Sequence, residues 1–215
     1  MVGLRVDGGC ALAVSRLSEC QMDLAASETY LLVGATPSRV RELKGGRTLA
    51  RVALSKLAVQ DAVITSGANG EPIWPHKYCG SISHSPTHAA ALVGPQSRFR
   101  ALGLDICDTR PLGDDLKNRV VTPNETKALH GLLSDFTDDI GNAVFSMKEA
   151  FFKCQFVVTG LAEVAFPDVT LFPIGKGEIG VSCLKVKEKV GDLSRVRVTL
   201  ERCGGVLLPC AYWPA

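Results

Sequence analysis

Apolar residues recur at three- and four-residue intervals in two long stretches of this chain. In residues 138–156, DDIGNAVFSMKEAFFKCQF, the positions Ile140, Ala143, Val144, Met147, Ala150, Phe151 and Cys154 fall on one stripe, predicting an amphipathic helix with Glu149 and Lys153 together on another face. In residues 37–57, PSRVRELKGGRTLARVALSKL, Val40, Leu43, Ala50, Leu54 and Leu57 keep the same spacing behind a start signal at Pro37 and Ser38. Gly45 and Gly46 interrupt it, either dividing two helices or letting a ligand approach the backbone. Arg47 and Arg51, four apart on one face, read first as a solvated surface. A third helix is expected over 122–133, opened by Thr122, Pro123 and Glu125, with Ala128, Leu132 and Leu133 as its apolar face.

Elsewhere the period is two. Ala89–Val93 reads as a buried strand, and after a polar turn Leu102, Leu104 and Ile106 alternate with Gly103, Asp105 and Cys107, so the two runs resemble a hairpin. Residues 67–80 are turn-rich and lead into a Gly/Ser/His loop at Gly80–Ser85. The last third reads as strands, with Val196, Val198 and Leu200 on one face. A helix followed by strands thus occurs twice. The expected fold is α+β with two halves, 1–102 and 103–215, placing Asp105 at the boundary, and clefts between domains are common ligand sites.

Charge and cysteine content narrow the classes. With 24 Lys+Arg against 22 Asp+Glu, the net charge of +2 argues against a chain whose main business is coating nucleic acid or an anionic membrane. Eight cysteines form no CxxC pair, and MVGLRVDGG lacks the features of a secretory signal, so reduced thiols and a cytoplasmic location are expected. No apolar run is long enough to span a membrane.

Two carboxylates, Asp105 and Glu149, with Lys153 one turn after the second, suit a hard divalent cation such as Mg2+, whose remaining positions take water and phosphate oxygens. Arginines, a histidine and small-residue donors are the groups that cradle phosphate. Glu149 and Lys153 also satisfy the spacing of an ordinary helical ion pair. Cys79, His84, His88 and Cys107 offer zinc-ligating atoms without paired-cysteine spacing, and Cys107 with His84 lacks a third orienting group for nucleophilic catalysis.

Three strings in order, SISHS (81–85), GLDICDTRP (103–111) and FSMKEAFFK (145–153), resemble the signature segments of 4′-phosphopantetheinyl transferases of the surfactin and enterobactin-synthetase type, and GGRTLARVAL (45–54) and NGEPIWP (69–75) resemble that family's upstream segments. The resemblance implies a pseudo-dimer of two similar α/β subdomains with the active site at their interface. It implies transfer of the phosphopantetheine arm of coenzyme A to a serine of an apo acyl, peptidyl or aryl carrier protein, with release of 3′,5′-ADP. By the same resemblance Asp105 and Glu149 are the metal ligands, Glu149 is also a candidate base, and Lys153 contacts the pyrophosphate. Ser83 and His84 match phosphate-contacting residues, Arg47 and Thr48 a coenzyme-binding pair, and Arg39 and Arg41 the basic residues that reach the 3′-phosphate. A monomer with no nucleic-acid or membrane partner is expected, serving secondary metabolism. One departure stands out: the family's Asp-x-Glu reads Asp105, Ile106, Cys107 here, and a thiol is a poor magnesium ligand. Water or Asp108 would take that position. Glu71 stands where some relatives have lysine, a contact that Lys77 could supply. Two readings from other classes remain, a noncatalytic coenzyme A or nucleotide-binding module and a magnesium-dependent phosphohydrolase.

Overall fold

A computed structural model describes residues 2–6, 9–20, 22–107, 112–137, 139–175 and 177–215, the side chains of residues 4–6 excepted. The chain divides into two compact units, Met1–Leu102 with Ala215, and Gly103–Pro214. Both mix helix and sheet. Asp108 lies outside the described residues.

The first unit has a four-stranded sheet in the order β1–β2–β6–β5, formed by β1 (Val2–Val6), β2 (Cys10–Arg16), β5 (Tyr78–His84) and β6 (His88–Pro95). Its pairings are antiparallel throughout. The strands β3 (Thr65–Ser66) and β4 (Pro72–Ile73) form a separate small ribbon. A single helix, α1 (Pro37–Lys56), covers the main sheet. Thr36 caps it by accepting from the Arg39 amide at 3.3 Å, and Pro37 supplies a first-turn residue with no amide to leave unsatisfied. Leu49, Ala50, Ala53 and Leu54 pack on Ala11, Ala13, Ala89, Ala91 and Val93. So many alanines in the strands let the helix come close.

The glycine pair neither divides α1 nor opens it to a ligand. A Cβ on Gly45 would stand 2.5 Å from Leu17, and one on Gly46 would stand 2.7 Å from Ile82, so both glycines admit the side chains of the fold itself. Nor are Arg47 and Arg51 a solvated face. Arg47 Nε donates to Ile64 O at 2.8 Å, and Arg51 Nε to Ala62 O at 3.0 Å. Arg51 also pairs with the fully buried Glu28, whose carboxylate accepts from the Ile64 amide.

The Gly80–Ser85 segment is the end of β5 rather than a loop. Its small residues permit close approach: a Cβ on Gly80 would lie 2.4 Å from Leu92 O and 2.8 Å from the Trp74 ring. Likewise Ala89–Val93 does not form a hairpin with the run that follows. It pairs with β2 and β5, whereas β7 (Phe99–Leu104) heads another sheet.

The second unit is built on a sheet of order β7–β11–β10–β9–β8, entered at Gly103–Leu104 of β7 and completed by β8 (Val169–Gly175), β9 (Glu178–Cys183), β10 (Arg197–Cys203) and β11 (Val206–Pro214). Helices α2 (Asp114–Val120), α3 (Pro123–Leu133), α4 (Ile140–Thr159) and the short α5 (Leu184–Val190) accompany it. Every residue of the predicted stripe on α4, from Ile140 to Cys154, is buried. Asp139 caps its start, and Gly160, at φ 68°, ends it. On α3 the capping box of Thr122 and Glu125 forms as the sequence signals. Its buried stripe is Glu125, Leu129 and Leu133, not Ala128, because Leu129 points inward and leaves Ala128 exposed. Gly103 is where α4 meets the strand. A Cβ there would lie 1.9 Å from Ala150 O, so Gly103→Ala is expected to force strand and helix apart and lower stability by about 3 kcal/mol, read by urea denaturation.

Candidate active site

Asp105 follows β7, and its amide donates to Pro209 O at 3.0 Å, tying the strand end to β11. Its carboxylate faces α4. Lys153 Nζ donates to Asp105 Oδ1 at 2.7 Å and to Leu104 O at 3.0 Å, while the buried Ser146 hydroxyl donates to Oδ2. Ser146, Glu149 and Lys153 lie three and four residues apart, so one helix face delivers all three. Glu149 belongs to the same electrostatic group. Burial pushes its carboxyl above the ordinary glutamate value, Lys153 pulls it down, and Asp105 pushes it up again.

A half-buried carboxylate that feels a second carboxylate is stabilised by any cation between them. Two carboxylates offer the oxygen donors that a hard divalent ion takes. Cys107 is buried, its amide donates to Leu207 O at 2.9 Å, and a thiol is a poor ligand for such an ion. Among the described residues, no group of three His, Cys, Asp or Glu side chains could hold a metal. Cys79 bonds instead to the carbonyls of Gly94 and Phe99.

Beside Glu149 opens a small cleft of about 230 Å³, lined by Lys148, Phe152, Val164, Phe166 and Val169 among others. Its wall depends on a buried ion pair that the spacing of apolar residues did not reveal. Lys148 and Glu125, each 1% exposed at the side chain, meet at 2.9 Å. Lys148 also donates to Val120 O and Phe166 O, and Glu125 accepts from the Leu171 amide, so one pair ties α3, α4 and β8 together. Burial lowers the Lys148 pKa despite its partner. The sequence signal was available: the Glu125 of the capping box lies on a buried face, where a carboxylate needs a cation.

In the first unit, Arg39 and His84 come together, Arg39 Nη1 lying 3.1 Å from His84 Nε2, with Glu42 Oε2 3.5 Å from the same ring nitrogen. Arg41 is exposed, and two residues from Arg39 it faces elsewhere on α1. Ser83 is buried in β5. Arg47 is 5% exposed and gives Nη2 to Thr65 O and Ser66 Oγ as well as Nε to Ile64 O. The Thr48 hydroxyl is turned into the helix, donating to Lys44 O at 2.8 Å. Both sit inside the fold, and Arg47 shapes segment 64–66. Glu71 accepts from the Asn69 amide within its own turn.

Each unit thus carries a charged cluster, Arg39 with His84 in the first and Asp105 with Lys153 in the second. Comparison with known proteins is specific. Residues 27–94 match the 4′-phosphopantetheinyl transferase N-terminal domain, and residues 101–196 match the 4′-phosphopantetheinyl transferase superfamily. The chain is 31% identical over 147 residues to the 4′-phosphopantetheinyl transferase Npt of Nocardia iowensis, covering 67% of this chain and 65% of Npt. It is 33% identical to Svp of Streptomyces mobaraensis over 69% of this chain and 60% of Svp, and 29% identical to enterobactin synthase component D of Escherichia coli over 74% and 75%. It thus spans less than two thirds of Npt and Svp. The chain belongs to the 4′-phosphopantetheinyl transferase superfamily. Among the described residues no helix is long and apolar enough to cross a membrane.

Proposed function

We propose that this chain transfers the 4′-phosphopantetheine arm of coenzyme A to a serine of an apo carrier protein, releasing 3′,5′-ADP. The observation that carries this reading is the grouping of Asp105, Ser146, Glu149 and Lys153 at the end of β7 and on one face of α4, beside a cleft walled in part by Phe152, Val164, Phe166 and Val169. Asp105 and Glu149 would hold Mg2+, which when bound supplies charge neutralisation at the diphosphate. Lys153 is the cation in place at Asp105 to meet a phosphate oxygen. Arg39 and His84, which meet in the first unit, serve phosphates of coenzyme A, whereas Ser83, Arg47 and Thr48 are buried there and Arg41 faces elsewhere on α1.

The reaction balances without an oxidant or a second cofactor. The serine oxygen bonds to the phosphorus that carries the pantetheine arm, the bridging P–O bond to the adenosine-side phosphate breaks, and 3′,5′-ADP leaves with that electron pair. Glu149 takes the serine proton. Its raised pKa makes it a stronger base than an exposed glutamate.

The test is the mass of an apo carrier protein incubated with coenzyme A, Mg2+ and this chain. An added phosphopantetheine supports the proposal. Coenzyme A binding with an unchanged carrier mass would favour the noncatalytic module, a reading that Cys107 in place of the family's glutamate keeps in view. Free 3′,5′-ADP formed at full rate without any carrier would favour a phosphohydrolase. Within the same assay, Arg39→Ala is expected to raise KM for coenzyme A about tenfold with kcat little changed, since it removes a ground-state phosphate contact and nothing at the reacting phosphorus. A fall in kcat with unchanged KM would place Arg39 elsewhere in the mechanism.

A further inference from the structure

Glu42 carries an unexpected charge for its surroundings. The first turns of α1 bring Ser38, Arg39 and Glu42 to one side of the helix, against the end of β5 where His84 stands. Glu42 Oε2 lies 3.3 Å from Arg39 Nη1 and 3.5 Å from His84 Nε2, and its other oxygen accepts from Ser38 Oγ at 3.3 Å. The carboxylate is the least accessible member: its side chain is 19% exposed, against 50% for Arg39 and 38% for His84. Arg39 and His84 therefore present their outer sides to solvent over an acidic floor.

The ring nitrogen shows what this floor does. Arg39 can only donate, so its contact with His84 Nε2 at 3.1 Å requires a lone pair there, whereas an interaction of the same nitrogen with Glu42 requires a proton. One atom cannot serve both at once. In the resting cluster Arg39 and Glu42 compete for His84, and Glu42 also occupies the Arg39 guanidinium. A phosphate monoester dianion reaching Arg39 and His84 must replace those contacts and lie close to a carboxylate of its own sign.

We propose that Glu42 is a built-in counter-charge that weakens the hold of Arg39 and His84 on a phosphate monoester, and so sets how tightly the first unit keeps a 3′-phosphorylated adenosine nucleotide. This rests on the function proposed above. There the consequence is mechanistic: the 3′-phosphate is present on coenzyme A and again on the product 3′,5′-ADP, so a grip that only tightened it would slow product release along with substrate loss. A counter-charge lowers both affinities together and favours turnover.

Isothermal titration at fixed ionic strength tests this, with 3′,5′-ADP and 5′-AMP as probes against the wild-type chain, Glu42→Gln and Glu42→Asp. Glutamine keeps an acceptor for Arg39 and Ser38 and removes the charge. It is expected to bind 3′,5′-ADP roughly fivefold more tightly, the scale of one near-surface like-charge contact, with 5′-AMP changed less than twofold. Aspartate should restore the wild-type affinity. Unchanged or weaker binding of 3′,5′-ADP by Glu42→Gln, or an equal gain for 5′-AMP, would overturn the role, since a merely structural effect would not select the 3′-phosphate. If the wild-type chain modified the carrier but Glu42→Gln left the 3′,5′-ADP affinity unmoved, only this inference would fall. If the wild-type chain bound neither coenzyme A nor 3′,5′-ADP, the proposed function would fall and the inference with it.

Discussion

Glu149→Gln is expected to reduce carrier modification about a thousandfold while the chain stays folded. A positioned general base contributes ~10²–10⁴ to rate, and the amide keeps the shape of the carboxylate without its capacity to take the serine proton. The electrostatics sharpen this expectation. Burial and Asp105 together raise the Glu149 pKa above 4.5, so in the folded chain its ionised form is disfavoured. Replacing it with a neutral amide removes that penalty, and the thermal midpoint should therefore hold or rise while activity is lost. Loss of activity with a lowered midpoint would point to misfolding instead, and wild-type transfer by Glu149→Gln would end its role as base. The pH dependence has a definite sign. A base works only when ionised, so transfer should fall as the pH drops through the Glu149 pKa, and this acid limb should be missing from the residual rate of Glu149→Gln.

Lys148→Met is expected to destabilise the second unit by about 3–5 kcal/mol, the penalty for stranding a buried charge. Glu125 is 2% exposed, and without Lys148 it retains only neutral donors, the amides of Thr122 and Leu171 and the Thr122 hydroxyl. Combining Lys148→Met with Glu125→Gln should recover part of the loss, because removing both charges removes their desolvation while the amide oxygen still accepts from Thr122 and Leu171. Urea denaturation of both variants measures this. If the single and double variants were equally unstable, the ion pair would not be what joins α3, α4 and β8. Since Lys148, Glu149 and Phe166 line the same cleft, the single variant should also lose activity.

Periodicity carried far where one helix packs by one stripe. On α4 the apolar set from Ile140 to Cys154 could be read in full, and it placed Glu149 and Lys153 on one face, since four residues turn a helix nearly once. The Thr122–Glu125 start signal was legible for the same reason: a cap is satisfied within four residues, with no help from distant parts of the chain. Pattern misled where small residues meet a neighbour that is remote in sequence. Gly80, Ser81 and Ser83 look like a loop, yet they form a strand by pairing with β6, and at Gly80 Trp74 and the Leu92 backbone leave no space for a side chain. Gly45 and Gly46 likewise face Leu17 and Ile82 rather than a ligand.

The motif residues and their order along the chain came from the sequence alone, as did the helix face that carries the reactive groups, because both depend on local spacing. Which charges are matched came only from the tertiary structure. Glu125 finds Lys148 across 23 residues, Asp105 finds Ser146 and Lys153 across 41 and 48, and Arg47 turns to segment 64–66 instead of solvent. Charge is paired according to distance in space and exclusion of water, and neither quantity is written in the spacing of residues along a chain.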